Sequence, residues 1–176
     1  RSLGLTGFSL TLSTGCTGST DAMGIGMHTI RHGMADILLA GGADACVTPG
    51  ILGAFCQMGA TSSGFNSTPK RASRPFNKDR DGFVIGEGAW VFVFEELRHA
   101  QKRNASIYAE VSGYGATCDA YHMSHPEPSG RFTVAAIRAA LNDAHLSPDE
   151  IEHISAYGNA TPINDSYETM VFKKVF

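Results

Sequence analysis

Phe8-Ser9-Leu10-Thr11-Leu12-Ser13-Thr14, followed by Gly15-Cys16-Thr17-Gly18 and the run from Ser19 to His32, decides the fold class. The first piece alternates large apolar with small polar residues, the period of a strand. Gly15 to Gly18 reads as a sharp turn. Beyond it Ala22, Met23, Ile25, Gly26, Met27 and Ile30 recur at helical spacing. Ser19 or Thr20 stands as N-cap, Asp21 lies in the first turn, and Gly33 ends the helix. Asp36 to Ala43 (DILLAGGA) is a short continuous apolar run, the pattern of a buried parallel strand. Strand, helix and buried strand in succession form a βαβ unit, so the chain reads as α/β.

Working outward, Ile51 to Met58 reads as a short helix and residues 60–82 as a long loop of Pro, Ser, Asn and charge. Loops of that length inside a compact domain are functional or disordered. Ala89 to Phe94 (AWVFVF) reads as a buried strand, Glu95 to Arg103 as a helix, and Ser106 to Tyr114 as a strand. Arg131 to His145 is an amphipathic helix that ends before Ser147-Pro148. Ile151 to Tyr157 follows as a strand, residues 158–165 as a loop, and a helix closes the chain. The composition breaks near Lys102 to Ser106, which places a lobe boundary between residues 1–104 and 105–176.

Composition narrows the class. Of 176 residues 43% are hydrophobic and 18% charged, too apolar for a disordered chain. So little charge leaves part of the surface to be covered by a partner. The net charge of −3 argues against a nucleic-acid binder, whose domains run basic. Twenty glycines imply tight turns and close backbone approaches. The longest apolar stretch, around Gly88 to Phe94, is far short of a membrane span, and no signal peptide is visible. Cys16, Cys46, Cys56 and Cys118 show no CxxC spacing, which favours a reduced, cytoplasmic compartment. The chain opens on Arg1 and ends in a helical pattern without a stop signal, so it reads as an internal piece of a longer protein.

Cys16 stands out chemically. It lies between a strand and a helix start, flanked by Gly15 and Gly18, whose small size permits an exposed elbow. A helix N-terminus offers partial positive charge and free N–H groups, which favour a thiolate and can hold an oxyanion. Two fates are open on local pattern alone: nucleophile, or buried structural cysteine. Cys46, Cys56 and Cys118 lack this setting and read as structural. His28 and His32 stand four apart on one helix, but no Glu follows His28 and no third ligand is evident. His122 and His125 flank a Pro-containing loop and also read as structural, so no metal is expected. Lys70, Arg71, Arg74, Lys78 and Arg80 form a basic cluster in an acidic chain. Solvation is its default role; the sharper reading is docking of an acidic partner by complementary charge, with Arg74 as the key cation.

An ordered set of motifs resembles the β-ketoacyl-acyl carrier protein synthases: Leu12-Ser13-Thr14-Gly15-Cys16-Thr17-Gly18 at the nucleophile, the run Ala35 to Ala45, and Arg71 to Gly88. Ile107 to Gly115, Asp119-Ala120-Tyr121-His122 and Thr161-Pro162-Ile163-Asn164-Asp165 continue it over nearly the whole chain. The wording is most similar to ketosynthases of type II polyketide and fatty-acid systems. The resemblance implies part of a thiolase-like layered α/β/α/β/α architecture: 1–104 the latter part of the N-terminal half, 105–176 the start of the C-terminal half. It implies that Cys16 takes an acyl chain from the phosphopantetheine of an acyl carrier protein. That chain then condenses with decarboxylating malonyl-carrier protein. No cofactor of the chain's own is implied. A homodimer or a ketosynthase heterodimer is implied, and Asn159 and Thr161 match positions along the pantetheine approach, where turn-forming roles are equally open.

One departure matters. The family places a histidine at the head of a His-Gly-Thr-like motif, and this chain reads Tyr157-Gly158-Asn159-Ala160-Thr161. A phenol donates one hydrogen bond, but a pKa near ~10 makes it a poor proton shuttle at neutral pH. A second family histidine and a lysine fall beyond Phe176. Besides an active ketosynthase, two readings therefore stand: a condensation-impaired homologue, and a non-catalytic ketosynthase partner subunit. Retained Cys16 argues against the last. Asp165 and Glu168 match acidic family positions on one helix face and read as helix-start charges.

Overall fold

The computed structural model describes residues 3–176. The chain divides into two compact units whose segments interleave: residues through Ala43 with Ala89–Ala109, and Asp44–Gly88 with Glu110–Phe176.

In the first unit, helix α1 spans Gly18–Arg31 and begins two or three residues earlier than a cap at Ser19 or Thr20 implies, behind a 3-10 turn at Gly15–Thr17. Thr17 replaces the expected Ser19 or Thr20 as N-cap. Its hydroxyl donates to Asp21 Oδ2 at 2.8 Å instead of accepting a backbone N–H, and Thr14 donates to the same oxygen. The other end closes as the sequence implies. Gly33 is left-handed (φ 68°), its N–H reaches Ile30 O, and Met34 N–H reaches Thr29 O, the paired bonds of a Schellman motif.

Strand β1 (Ile37–Asp44) pairs with β2 (Gly88–Glu95). Glu96 N–H meets Asp36 O while Gly41 lies against Trp90 and Val91. One number falls as the other rises, so the pair is antiparallel, where the apolar run predicts a parallel strand. Two glycines make the packing possible. A Cβ on Gly41 would stand 2.0 Å from Trp90 O, and one on Gly42 would stand 2.2 Å from Ser19 Oγ at the start of α1. Gly26 of α1 does the same job from the helix side, against Leu38 and Ala40. These close approaches account for part of the glycine excess. Helix α3 (Leu97–Lys102) follows β2, capped by the Glu96 carboxylate on His99 N–H.

The expectation of buried strands fails for the side chains. Ala40 alone in β1 is buried, and Trp90 is 78% exposed, with Val91, Phe92 and Val93 exposed beside it. A two-stranded sheet leaves both faces of β2 uncovered, whatever its residues prefer. Residues 8–14, 106–114 and 151–157, expected as strands, carry no ladder among the described residues. The βαβ unit therefore lacks its first strand here. Alternation fits a segment for a sheet, but the ladder exists only where a neighbour supplies it.

The second unit holds α2 (Pro49–Gln57), α4 (Arg131–Ala144) and α5 (Pro162–Val175). Helices α4 and α5 pack together, with Val134, Leu141 and Val171 buried and a Thr133–Tyr167 hydroxyl bond of 2.7 Å. Gly113 and Gly115 let the segment before α4 lie on the α4 backbone, since a Cβ at either would stand 2.3 Å from a helix carbonyl. The loop at 60–82 is ordered. Thr61 and Phe83 form a parallel bridge, and Asp81 Oδ2 accepts from Ser63 and Gly64 N–H at 3.0 and 2.7 Å. Among the described residues no helix is long and apolar enough to cross a membrane.

Candidate active site

Cys16 is exposed, at the centre of the 3-10 turn that leads into α1. Gly15 before it is left-handed (φ 69°), which turns the chain sharply without the Cβ clash another residue would bring. The thiol thus stands beside the helix start and open to solvent. The other cysteines are differently placed. Cys46 is half-buried and donates to Gly86 O at 3.5 Å; burial, then the charge of Asp44, push its thiol pKa up. Cys56 accepts from the Thr61 hydroxyl at 3.3 Å, and Cys118 is exposed outside any helix.

The second group of residues surrounds the turn Tyr157 to Thr161. Tyr157 is 56% exposed. Two carboxylates from α5 hold the backbone beneath it. Glu168 accepts from Tyr157 N–H at 2.6 Å and from Gly158 N–H at 2.9 Å. Asp165, 1% exposed, accepts from Ala160 N–H at 3.1 Å and from Phe76 N–H at 2.6 Å. Gly158 (φ 49°) and Ala160 (φ 68°) are both left-handed, and the second is unfavourable for an alanine. The buried bond from its N–H to Asp165 holds it there. Asp165 lies in the first turn of α5, as expected of a helix-start charge, and both it and Glu168 also reach beyond the helix and shape the turn.

Asn159 and Thr161 are engaged within the turn. Asn159 Oδ1 accepts from Thr161 N–H and hydroxyl at 3.0 and 2.8 Å, and Thr161 Oγ1 caps α5 by accepting from Asn164 N–H. Arg80 belongs to the basic cluster by sequence, and the structure removes it. Its guanidinium donates to Thr161 O, Pro162 O and Ser166 Oγ at 3.2, 2.8 and 2.7 Å, and its Nε lies 3.5 Å from Asp165 Oδ2. The alternation of Asp79, Arg80 and Asp81 gives no sign of this, because the partners sit over 80 positions away. Arg74 lies over the Phe65 ring at 4.2 Å, donates to Arg71 O, and is 14% exposed. No group of three or more His, Cys, Asp or Glu among the described residues is arranged to hold a metal.

Residues 1–100 match the β-ketoacyl synthase N-terminal domain, and residues 108–176 match the C-terminal domain. The chain belongs to the β-ketoacyl synthase family. This family member is 45% identical over 93% of its length to the tetracenomycin polyketide synthase ketoacyl synthase alpha subunit of Streptomyces glaucescens, covering 38% of that protein. It is 42% identical over 98% of its length to 3-oxoacyl-[acyl-carrier-protein] synthase 2 of Coxiella burnetii, covering 41%. Among solved structures it matches a type II ketosynthase complexed with its acyl-carrier protein (TM-score 0.90, 43% identity, 93% of this chain, 40% of that one). It also matches the ishigamide ketosynthase/chain length factor (TM-score 0.87, 40% identity, 95% of this chain, 39% of that one). The chain spans about two fifths of the length of these relatives. Its fold is accordingly part of the thiolase-like α/β fold of ketosynthases.

Proposed function

We propose that this chain is part of a 3-oxoacyl-[acyl-carrier-protein] synthase of the polyketide or fatty-acid kind, an acyltransferase with Cys16 as acyl acceptor. The Cys16 sulfur attacks the thioester of an acyl group on a carrier's phosphopantetheine, and the carrier thiol leaves. Malonyl-carrier protein then loses CO₂. The carbanion attacks the Cys16 thioester, forms the new carbon–carbon bond and frees the cysteine. Backbone N–H groups at the start of α1 offer donors for the oxyanion. The observation that carries this reading is the exposed Cys16 in a left-handed glycine turn that opens a helix.

In the same proposal residues 1–104 and 105–176 belong to the two thiolase-like halves, in keeping with the family match changing between residues 100 and 108. Asn159 and Thr161 lie on the pantetheine approach, and Arg74 helps dock the acidic carrier protein. The protein works in the cytoplasm as a homodimer or a ketosynthase heterodimer, and takes its phosphopantetheine from the carrier. Docking is tested by Arg74→Ala, which lowers the acyl-transfer rate and its salt dependence. An unchanged rate and slope would remove Arg74 from the docking surface.

Tyr157 favours a second reading: acyl transfer without efficient condensation, because the phenol is a poor substitute for the family histidine. A non-catalytic partner subunit would lack both steps. An acyl-thioester mimic, with mass spectrometry of the labelled peptide, separates these. Label on Cys16 supports the two enzymatic readings, and its absence supports the partner subunit. Carbon–carbon bond formation by the full chain then supports the first reading. Its gain only in Tyr157→His supports the second.

A further inference from the structure

We propose that Phe76 is a positioning residue: its ring, seated on Gly158, fixes the turn from Tyr157 to Thr161 for an incoming pantetheine arm. This role rests on the reading above, in which Asn159 and Thr161 lie on the pantetheine approach. A Cβ built on Gly158 would stand 3.0 Å from Phe76 Cε2, 3.6 Å from Phe76 Cζ and 3.5 Å from Pro75 Cβ. The ring edge therefore occupies the space that a side chain at 158 would take. Phe76 is 47% exposed, so core packing does not account for it.

The backbone at Phe76 is unusual as well. It is left-handed (φ 60°), a region that a bulky aromatic residue enters rarely and at a cost in stability. Its N–H donates to Asp165 Oδ2 at 2.6 Å, and the other oxygen of that carboxylate accepts from Ala160 N–H at 3.1 Å. Asp165 is buried, so water does not compete for either bond. The loop and the turn are tied again at Gly82, whose N–H meets Ala160 O at 3.2 Å, and at Arg80, which donates to Thr161 O at 3.2 Å.

These links divide the work. The polar ones act at Ala160 and Thr161; the ring acts at Gly158, directly beside Tyr157. Gly158 is itself left-handed (φ 49°) and has the conformational freedom of a residue without Cβ, which the ring restricts. A glycine at 76 would adopt the same backbone without strain. The chain instead carries an aromatic ring there, half in solvent, and the strain is held by Asp165. Strain maintained in this way clusters at functional segments. It gives the ring a purpose at the turn that the fold alone does not require.

The test uses the full-length protein with Phe76→Gly and Phe76→Ala. Phe76→Gly keeps the left-handed backbone and its bond to Asp165 while removing the ring, so it should melt at or above Phe76→Ala. Amide hydrogen exchange at Gly158 should nevertheless quicken several-fold in both, with Thr169 in α5 unchanged. Acyl transfer to Cys16 is then followed with acyl-pantetheine and with an acyl thiophenyl ester, which has no pantetheine arm. For acyl-pantetheine kcat/KM should fall about 10-fold, less than the ~10²-fold that a 1 Å misplacement can cost, because Asp165 and Arg80 still hold the turn. The fall should lie in KM, and the thiophenyl ester should react as it does with the parent. Equal losses with both donors would overturn the proposal, since a general folding defect produces them. Unchanged exchange at Gly158 in Phe76→Gly would overturn it too. If the parent accepts acyl groups from neither donor, the proposed function fails separately, and exchange at Gly158 still decides whether Phe76 positions the turn. Circular dichroism checks each fold, and if Phe76→Ala unfolds, Phe76→Gly alone decides the outcome.

Discussion

Replacing Asp165 with alanine should be the most damaging single change in the second unit. The carboxylate is 1% exposed and holds three segments at once. It accepts from Phe76 N–H at 2.6 Å in the loop, from Ala160 N–H at 3.1 Å in the turn, and pairs with Arg80 at 3.5 Å. A hydrogen bond to a charged acceptor contributes about 1.5–3 kcal/mol, so the two N–H bonds together amount to about 3–6 kcal/mol. Breaking a buried pair from one side costs about 3–5 kcal/mol by itself, since the other charge is left uncompensated. These sums overlap, because the same oxygens serve both, so about 4 kcal/mol is the working figure. Phe76 and Ala160 are also both left-handed (φ 60° and 68°), and without the carboxylate neither has reason to stay there. For a chain of this length the loss corresponds to a melting shift of about 8–16 °C. Asp165→Asn keeps the shape and one acceptor oxygen, and should lose less than the alanine variant. Urea unfolding followed by circular dichroism reads both. A loss under about 1 kcal/mol in Asp165→Ala would refute the reasoning, because exposed-site substitutions alone reach about half that.

Further outcomes are expected. Glu95 accepts from Arg103 Nε and Nη2 at 2.7 and 2.6 Å and from His99 Nδ1 at 2.6 Å, and these bonds, Arg103 first, hold its pKa at about 2 against an ordinary 4.5. Its contribution to stability is therefore complete above the ordinary value and disappears as pH falls from about 4.5 towards 2. Glu95→Gln should flatten the acid side of a stability–pH curve, and an unchanged slope would disprove the network. Gly41→Ala drives a methyl into the Trp90 carbonyl, which is backbone and cannot step aside, so it should cost about 3 kcal/mol or more in denaturant unfolding. Gly42→Ala meets only the Ser19 hydroxymethyl, and pairing it with Ser19→Gly should recover most of its loss. Glu168→Ala frees Tyr157 and Gly158 N–H and should speed amide hydrogen exchange at both positions more than at Thr169.

What the sequence makes legible follows the range of each interaction. Helix α1 is visible because its apolar face, its Asp21 and its Gly33 stop are all local. The Thr17 cap is hidden because the threonine hydroxyl prefers Asp21, a side-chain choice that propensity does not express. The paired glycines of the Ala40-Gly41-Gly42-Ala43 run are visible as small residues, but their reasons, Trp90 O and Ser19 Oγ, lie on other elements. The segments at 8–14, 106–114 and 151–157 have strand-like alternation, yet pairing is a property of two segments. At the candidate site Cys16 announces itself through its neighbours. Arg80 does not, because its partners Thr161, Pro162 and Ser166 belong to a helix start far along the chain.

The bond from Phe76 to Asp165 spans 89 positions, and its consequence is temporal. A ribosome adding about 5–20 residues per second needs on the order of 5–18 seconds to cover that distance. Throughout that interval the segment around Phe76 is already synthesised while its anchor does not yet exist. Long-range contacts of this kind form late in any case, since closure entropy must be overcome before they give anything back. The newborn chain therefore passes through a window in which this stretch is open to proteases and chaperones, and the window shuts only when helix α5 emerges.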